Sequence, residues 1–391
     1  MTSILVPTMV GDEHAQAIYC ASRLVKGYEV LRWFGADFPT RQVASWRFTN
    51  EKPVRWSLAG PDLLLDTHSF DVVWLRRPVD PVLPETLHPD DQRMAERENV
   101  RFYQSLWYLV GTAATWINPY HAHLRACCKT VQLREAREAG FTIPNTLASN
   151  DPEQIVKFIR ENEPVKTIYK PFYPARWQTS RDSWAVAETA IVSEDRLPSQ
   201  AVLQLTPGIF QPLIEKAYEV RATFFGAHAV TLKFSPRRDQ ETMTDWRSMY
   251  HSHLNAEPVD LPPAIYRSCR QLMASLGIIF GCFDFIVTPD REYVFLEVNE
   301  MGQFLWKESL VPETKMLEIF LDFLRNPSPN FRWQRSRTGV SFRAVMESDD
   351  YHMITKADSV LHIERSLWDP QLLSRFPVDS APCISADHAC G

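Results

Sequence analysis

Glycine is scarce in this chain, 13 in 391 residues. No two glycines stand two positions apart, so Gly-x-Gly-x-x-Gly occurs nowhere, and Gly-x-x-x-x-Gly-Lys-[Ser/Thr] is missing too. Both glycine-loop routes to a bound nucleotide are thereby excluded. The seven cysteines are odd in number, contain no Cys-x-x-Cys pair and show no zinc-finger spacing. Reduced, mostly buried thiols in a reducing cytosol are the expectation. No run of 18 apolar residues exists, so no membrane span is expected. Basic excess is missing as well: 42 Lys+Arg against 48 Asp+Glu gives a net charge of −6, with no electrostatic footprint for nucleic acid. Met1–Val10 lacks a basic start, is interrupted by Pro7 and stops at Asp12, which reads as a strand and not a signal peptide. What remains is an ordinary globular composition, 45% hydrophobic and 23% charged, long enough for two or three domains.

The first 120 residues read as an α/β unit. Ser3–Pro7, Tyr28–Phe34, Phe70–Leu75 and Thr115–Asn118 look like strands of a largely parallel sheet. Glu13–Leu24, with Asp12 as N-cap and Gly27 as the following turn, and Pro89–Gly111 look like its helices. The third strand runs into Arg76-Arg77-Pro78. In a second segment, Arg125–Glu138 reads as one helix. Asp151, Pro152 and Gln154 open another in a capping-box arrangement. Lys166–Phe172 reads as a strand, and the polar stretch Tyr173–Arg196 as a mobile loop. A third segment holds two hairpins, Ala217–Phe225 with His228–Phe234 around Gly226-Ala227, and Cys282–Thr288 with Tyr293–Asn299. The apolar stripes of Pro263–Leu276 and Pro312–Leu324 predict helices. After Asn326 the periodicity weakens.

The second hairpin carries the strongest chemical signal. If the loop Pro289–Glu292 closes a regular hairpin with Thr288 opposite Tyr293, Asp284 stands directly opposite Glu297, and Asn299 shares their face. Two opposed carboxylates destabilise a sheet unless positive charge lies between them. Phe283, Phe285, Val287, Val294, Leu296 and Val298 are expected to bury the other face, which fixes the register. Two carboxylates and an amide oxygen, completed by water and phosphate, suit Mg²⁺. The bland alternative is a polar strand facing solvent. Nearby cations are Lys170 inside an apolar strand, Lys129 on a helix, and Arg221 on the same strand face as Glu219. Each alone is commonly a salt-bridge residue; together with the hairpin they could cradle phosphates by side chain.

Lysines on successive elements, Gln211-Pro212-Leu213-Ile214, Glu219-Val220-Arg221 and Asp284…Glu297-x-Asn299 together resemble an ATP-grasp ligase. Trp116–Pro119, Lys129–Leu133, Gly140–Leu147, Thr244–Arg247 and Gly302–Trp306 bring the resemblance closer to the RimK-like peptide ligases of the microviridin (graspetide) type. It covers roughly 1–326, departs at Glu300-Met301, and has no counterpart beyond Pro327. The resemblance implies an α/β ATP-grasp fold: an N-terminal pre-ATP-grasp domain (1–120), a central subdomain (121–214), a C-terminal subdomain with the Mg²⁺ site (215–326) and an extension of unknown role (327–391). It also implies Lys129 and Lys170 on the ATP phosphates, Gln211, Pro212, Leu213 and Ile214 at an adenine hinge, and Glu219 among the nucleotide contacts. Asp284, Glu297 and Asn299 would hold Mg²⁺, and Arg221 and Arg247 would face the transferred phosphoryl group.

The implied reaction turns an Asp or Glu side chain of a ribosomal precursor peptide into an acyl phosphate. A Ser/Thr hydroxyl or a Lys amine of the same peptide then attacks it, giving ester or amide cross-links. Leader contact is implied loosely around Tyr173–Asp195, and a homodimer is a further expectation. Two alternatives stay open: a RimK-type ligase that adds an amino acid to a protein or small acid, and an ATP-binding regulator without catalysis.

Overall fold

Four short apolar segments near the N-terminus pair in parallel. In this computed structural model, which describes residues 1–66, 70–173, 175–180, 183–187, 189–236, 254–335 and 338–365, β1 (Thr2–Thr8) is followed by α1 (Glu13–Leu24) and β2 (Tyr28–Phe34). Asp12 caps α1 by accepting the Ala15 N–H at 2.8 Å, as its sequence position predicts. The next strands are β3 (Val43–Arg47), β4 (Arg55–Ala59), β5 (Leu64–Asp66) and β6 (Val72–Trp74), then α2 (Pro89–Leu109) and β7 (Thr115–Ile117). The parallel sheet runs β2-β1-β6-β7. The small antiparallel sheet β3-β4-β5 was not foreseen. Its strands are short, and its Trp46–Trp56 stack, with ring centroids 5.3 Å apart, arises from cross-strand pairing.

The helix expected over Arg125–Glu138 is two, α3 (Tyr120–Ala126) and α4 (Lys129–Glu138). Cys128 turns extended between them, at φ −78° and ψ 103°, and this places Lys129 at the start of α4. The middle of the chain gives β8 (Leu147–Ser149), α5 (Pro152–Asn162), β9 (Thr167–Lys170), β10 (Ala175–Ser180), β11 (Ser183–Ala187), β12 (Ala190–Val192), α6 (Gln200–Leu205) and β13 (Gly208–Pro212). Asp151 caps α5 through the Glu153 and Gln154 N–H groups. The predicted loop Tyr173–Arg196 is corrected: it contains the antiparallel pair β10–β11 and β12, which joins the sheet β12-β9-β13-β8. Its mixed polar sequence carried no burial signal because β10 and β11 form a two-stranded sheet of their own.

Next come β14 (Tyr218–Phe225), β15 (His228–Pro236), β16 (Leu254–Pro258), α7 (Pro263–Leu276), β17 (Phe280–Val287) and β18 (Tyr293–Asn299), in a five-stranded sheet β16-β15-β14-β17-β18. Gly226 opens the two-residue turn at φ +58°, and a Cβ there would stand 2.2 Å from the Ser328 carbonyl oxygen. Cys269, Leu272, Met273 and Leu276 of α7 pack on Phe224, Phe283 and Phe285. Each buried aliphatic side chain of this kind contributes about 1.5–3 kcal/mol.

The chain continues through α8 (Trp306–Leu310), α9 (Met316–Arg325), α10 (Phe342–Met346) and α11 (Asp349–Leu361). Lys315, at φ 50°, splits the predicted helix Pro312–Leu324 into a short turn and α9. Residues of α9, α10 and α11 share one core with α1, β1 and β6, so the described part of the extension is docked. Cys20, Cys269 and Cys282 are buried, whereas Cys127 and Cys128 are exposed. Among the described residues no helix is long and apolar enough to cross a membrane.

Candidate active site

Asp284 stands opposite Glu297 in β17–β18. The register that puts them there is not the regular one the sequence suggests. Val287 pairs with Tyr293 at the loop, and an extra residue, Leu296, is inserted between the pairs Phe285–Phe295 and Asp284–Glu297. This bulge keeps the two carboxylates opposed while sending Phe295 and Tyr293 to the α7 face with Phe283, Phe285 and Val298. The expected core role of Leu296 therefore passes to Phe295, which is fully buried. Asn299 pairs with Cys282 and is half-buried, its Oδ1 accepting the Met301 N–H at 3.1 Å.

Arg221 in β14 is the cross-strand neighbour of Asp284 on its other side. Its Nη1 donates to both carboxylate oxygens, at 2.9 and 3.0 Å, and Nη2 donates to the Gln303 carbonyl at 3.3 Å. Arg221, Asp284 and Glu297 thus form a row across three strands. Charge compensation for Asp284, which the sequence assigned to a dication, is supplied in part by this buried guanidinium. Glu219, two residues earlier on the same face, accepts from Lys216 at 2.5 Å.

The lysines approach each other from different elements. Lys129 at the start of α4 donates to the Pro171 carbonyl at 3.2 Å, next to Lys170 at the end of β9. Gln132, one turn along α4, grips β18 by accepting the Val298 N–H at 2.8 Å and donating to the Val298 carbonyl at 2.9 Å. That clamp sets α4, and with it Lys129, against the carboxylate strand. Gln211 and Pro212 belong to β13, beside Ile168 and Thr167 of β9. Gln211 is buried and donates to Thr146 Oγ1 at 3.0 Å. Leu213 leaves the strand through a bond from its N–H to the Lys166 carbonyl, and Ile214 follows half-buried. Arg247 and the stretch Thr244–Arg247 lie outside the described residues.

Lys307 is a residue the sequence reading missed. It is fully buried on α8, donates to Thr223 Oγ1, and lies near Cys282, Arg221 and Asp284. Burial pushes its ammonium down to about 8. An i, i+3 count from Phe304 flags position 307 as inward-facing, yet lysine there looks like surface until the sheet is built over it. The turn before α8 packs so tightly that a Cβ on Gly302 would stand 2.6 Å from Cys282 Sγ.

No family model and no curated protein matches the chain. Solved structures do. Macrocyclase MdnC from Microcystis aeruginosa MRC, bound with precursor peptide MdnA, superposes with a TM-score of 0.72 at 27% identity, covering 84% of this chain and 100% of that one. A RiPP-associated ATP-grasp ligase from Chryseobacterium gregarium, in complex with ADP and a leader and core peptide, gives 0.72 at 26% identity over 84% of this chain and 98% of that one. This chain is an ATP-grasp ligase. Macrocyclase MdnB from Microcystis aeruginosa MRC matches the ligase at 0.66 and 25% identity, over 83% of this chain and 100% of that one. In the ligase, elements far apart in sequence set the Arg221 cation of β14 against the carboxylates of β17 and β18.

Proposed function

We propose that the ligase activates a side-chain carboxylate of a ribosomal precursor peptide with ATP and closes it onto a hydroxyl or amine of the same peptide. The observation that carries this reading is the row Arg221–Asp284–Glu297, with α4, which carries Lys129, clamped to β18 by Gln132. It is supported by the peptide complex of MdnC and by the ADP and peptide complex of the Chryseobacterium ligase. In this reading the parts are an N-terminal domain (1–120), a central subdomain (121–214), a C-terminal subdomain (215–326) and an extension (327–391).

Lys129 and Lys170 take the ATP phosphates, Gln211–Ile214 the adenine, and Glu219 a further nucleotide contact. Asp284, Glu297 and Asn299 are the Mg²⁺ donors. Among the described residues no three His, Cys, Asp or Glu side chains are grouped to hold a metal by themselves, so the amide of Asn299 and phosphate oxygens complete the set. Although Asp284 already meets Arg221, and Asn299 the Met301 N–H, each oxygen has a second lone pair. The all-oxygen donor set suits Mg²⁺. When bound, Mg²⁺ neutralises charge on the phosphates.

The chain's own groups orient the rest. The peptide carboxylate oxygen attacks the γ-phosphorus, the bond to the β-phosphate oxygen breaks, and ADP leaves with the electron pair. Lys129, Lys170 and Arg221 stabilise the spread charge. The peptide hydroxyl or amine then attacks the acyl carbon, loses its proton, and expels phosphate. Each cross-link removes one water from the peptide.

Intact mass tests this. Candidate precursors, beginning with one encoded beside the gene, are incubated with protein, ATP and Mg²⁺. Loss of whole water masses is expected with the wild type and is abolished in Glu297→Ala, which keeps its folded spectrum. Unchanged mass with ADP release stimulated by free amino acids would replace this reading by the RimK-type ligase. ATP turnover that survives Glu297→Ala would remove Glu297 from the site.

A further inference from the structure

The sequence leaves Arg76-Arg77-Pro78 unassigned, and the reaction above has no group to receive the peptide carboxylate before it is activated. We infer that Arg77 is the binding residue for that carboxylate, held in place by Arg76; the inference rests on the ligase reading of the site. Both arginines follow β6, at the carboxyl end of the parallel sheet, where open α/β sheets receive ligands.

Arg76 is 1% exposed and fixed from two sides. Its Nε donates to Asp12 Oδ1 at 3.0 Å, and its Nη1 donates to the Met301 carbonyl, two residues past Asn299. Its Nη2 is buried with no hydrogen-bond partner, an uncommon and costly state for a charged group. Arg77 sits beside it at φ 50°, left-handed backbone that a non-glycine residue rarely adopts and that concentrates at functional sites. Its N–H meets Met301 Sδ at 3.4 Å, and its Nε lies 3.9 Å from Asp12 Oδ2, too far for a close ion pair. The Arg77 side chain keeps 29% of its surface exposed.

The contact with Met301 sets Arg77 against the turn that follows the carboxylate hairpin, so its partly exposed side chain opens next to the strand that ends in Asn299. His14 Nε2 accepts the Phe304 and Leu305 N–H groups at 2.8 and 3.0 Å. Burial first, then Arg76, Arg77 and Arg221, hold that imidazole far below its usual range, so it remains a neutral acceptor among three guanidiniums. A carboxylate arriving there meets a preorganised positive field and a planar fork matched to its two oxygens.

The test uses full-length protein and phenylglyoxal, with modification of each arginine followed by peptide mass mapping. The probe is N-acetyl-glutamate amide, and its neutral isostere N-acetyl-glutamine amide is the control. Modification of Arg77 is expected to slow about tenfold when the acid is present at ten times its dissociation constant, and not with the amide. Arg77→Met is expected to lose peptide-dependent ADP release while keeping its affinity for a non-hydrolysable ATP analogue, with partial recovery in Arg77→Lys. Equal slowing by acid and amide, no slowing, or full ADP release in Arg77→Met would overturn the assignment. Protection of Arg77 in a protein that forms no ADP would keep the site and remove the ligase reading. ADP formation with a dispensable Arg77 would do the reverse.

Discussion

Lys307 shows how a single side chain reports its surroundings. An ammonium enclosed by β14, β17 and α8 is costly, and its value of about 8 makes that cost a pH effect. Between about 8 and the ordinary lysine range the unfolded chain binds a proton that the folded chain does not, so stability rises with pH across that window. Lys307→Met, close in volume, is expected to remove the rise and to leave the protein as stable or more stable near neutrality. Urea midpoints of the two proteins across the alkaline range check this; parallel curves would contradict it. Burial tends to raise Asp12, but Arg76 chief among its partners outweighs that and holds the carboxyl below its usual range. At this scale much was legible. The Asp12 cap follows from local pattern, and Asp284 does face Glu297 as expected, though by way of a bulge the pattern does not show; Lys307, Arg76 and Arg77 needed neighbours from distant segments.

At the scale of elements, α8 and the extension are joined through one carboxylate. Glu308 is 3% exposed and accepts the Leu317 N–H at 2.8 Å and the Phe342 N–H at 2.7 Å. These are the first-turn donors of α9 and α10, which a nearby carboxylate satisfies. Burial raises Glu308 in spite of both bonds. Glu308→Ala leaves two buried N–H groups unpaired, and a loss of about 2–4 kcal/mol is expected, read from chemical denaturation. A loss under about 1 kcal/mol would mean water replaces the carboxylate. The bulge at Leu296 belongs to the same scale. Alternation along β18 reads as a regular strand, and the burial of Phe295 against α7 decides otherwise.

Across the whole molecule the extension closes onto the N-terminal sheet. Arg32 and Asp358 form a buried two-pronged ion pair, at 2.5 and 2.8 Å. His362 stacks on Phe34, with centroids 3.9 Å apart, and lies between Asp37 at 2.7 Å and Asp62 at 3.4 Å. Burial disfavours its charge, but the bond to Asp37 and the ion pair with Asp62 prevail and raise it to about 9. The folded chain therefore holds a proton that the unfolded chain has lost. This contribution is complete below the ordinary histidine range and disappears as pH rises through about 9, opposite in slope to Lys307. Thermal unfolding of His362→Gln should fall well below wild type at pH 6 and approach it above about pH 9. A constant gap would mean that the histidine acts by packing alone.

Local sequence was enough for the parallel opening sheet, the caps of α1 and α5 and the two hairpins. Each of these depends on residues close in the chain or on one strand facing its neighbour, where periodicity and turn chemistry suffice. Tertiary structure alone decided the bulge that reassigns Leu296 and Phe295, the burial of Lys307, and the docking of residues 338–365. It also decided the meeting of Arg76 and Arg77 with the turn after Asn299. These are contacts between segments far apart in sequence, such as Arg76 with Met301 or Asp37 with His362, and their energy comes from desolvation and pairing that no local pattern encodes.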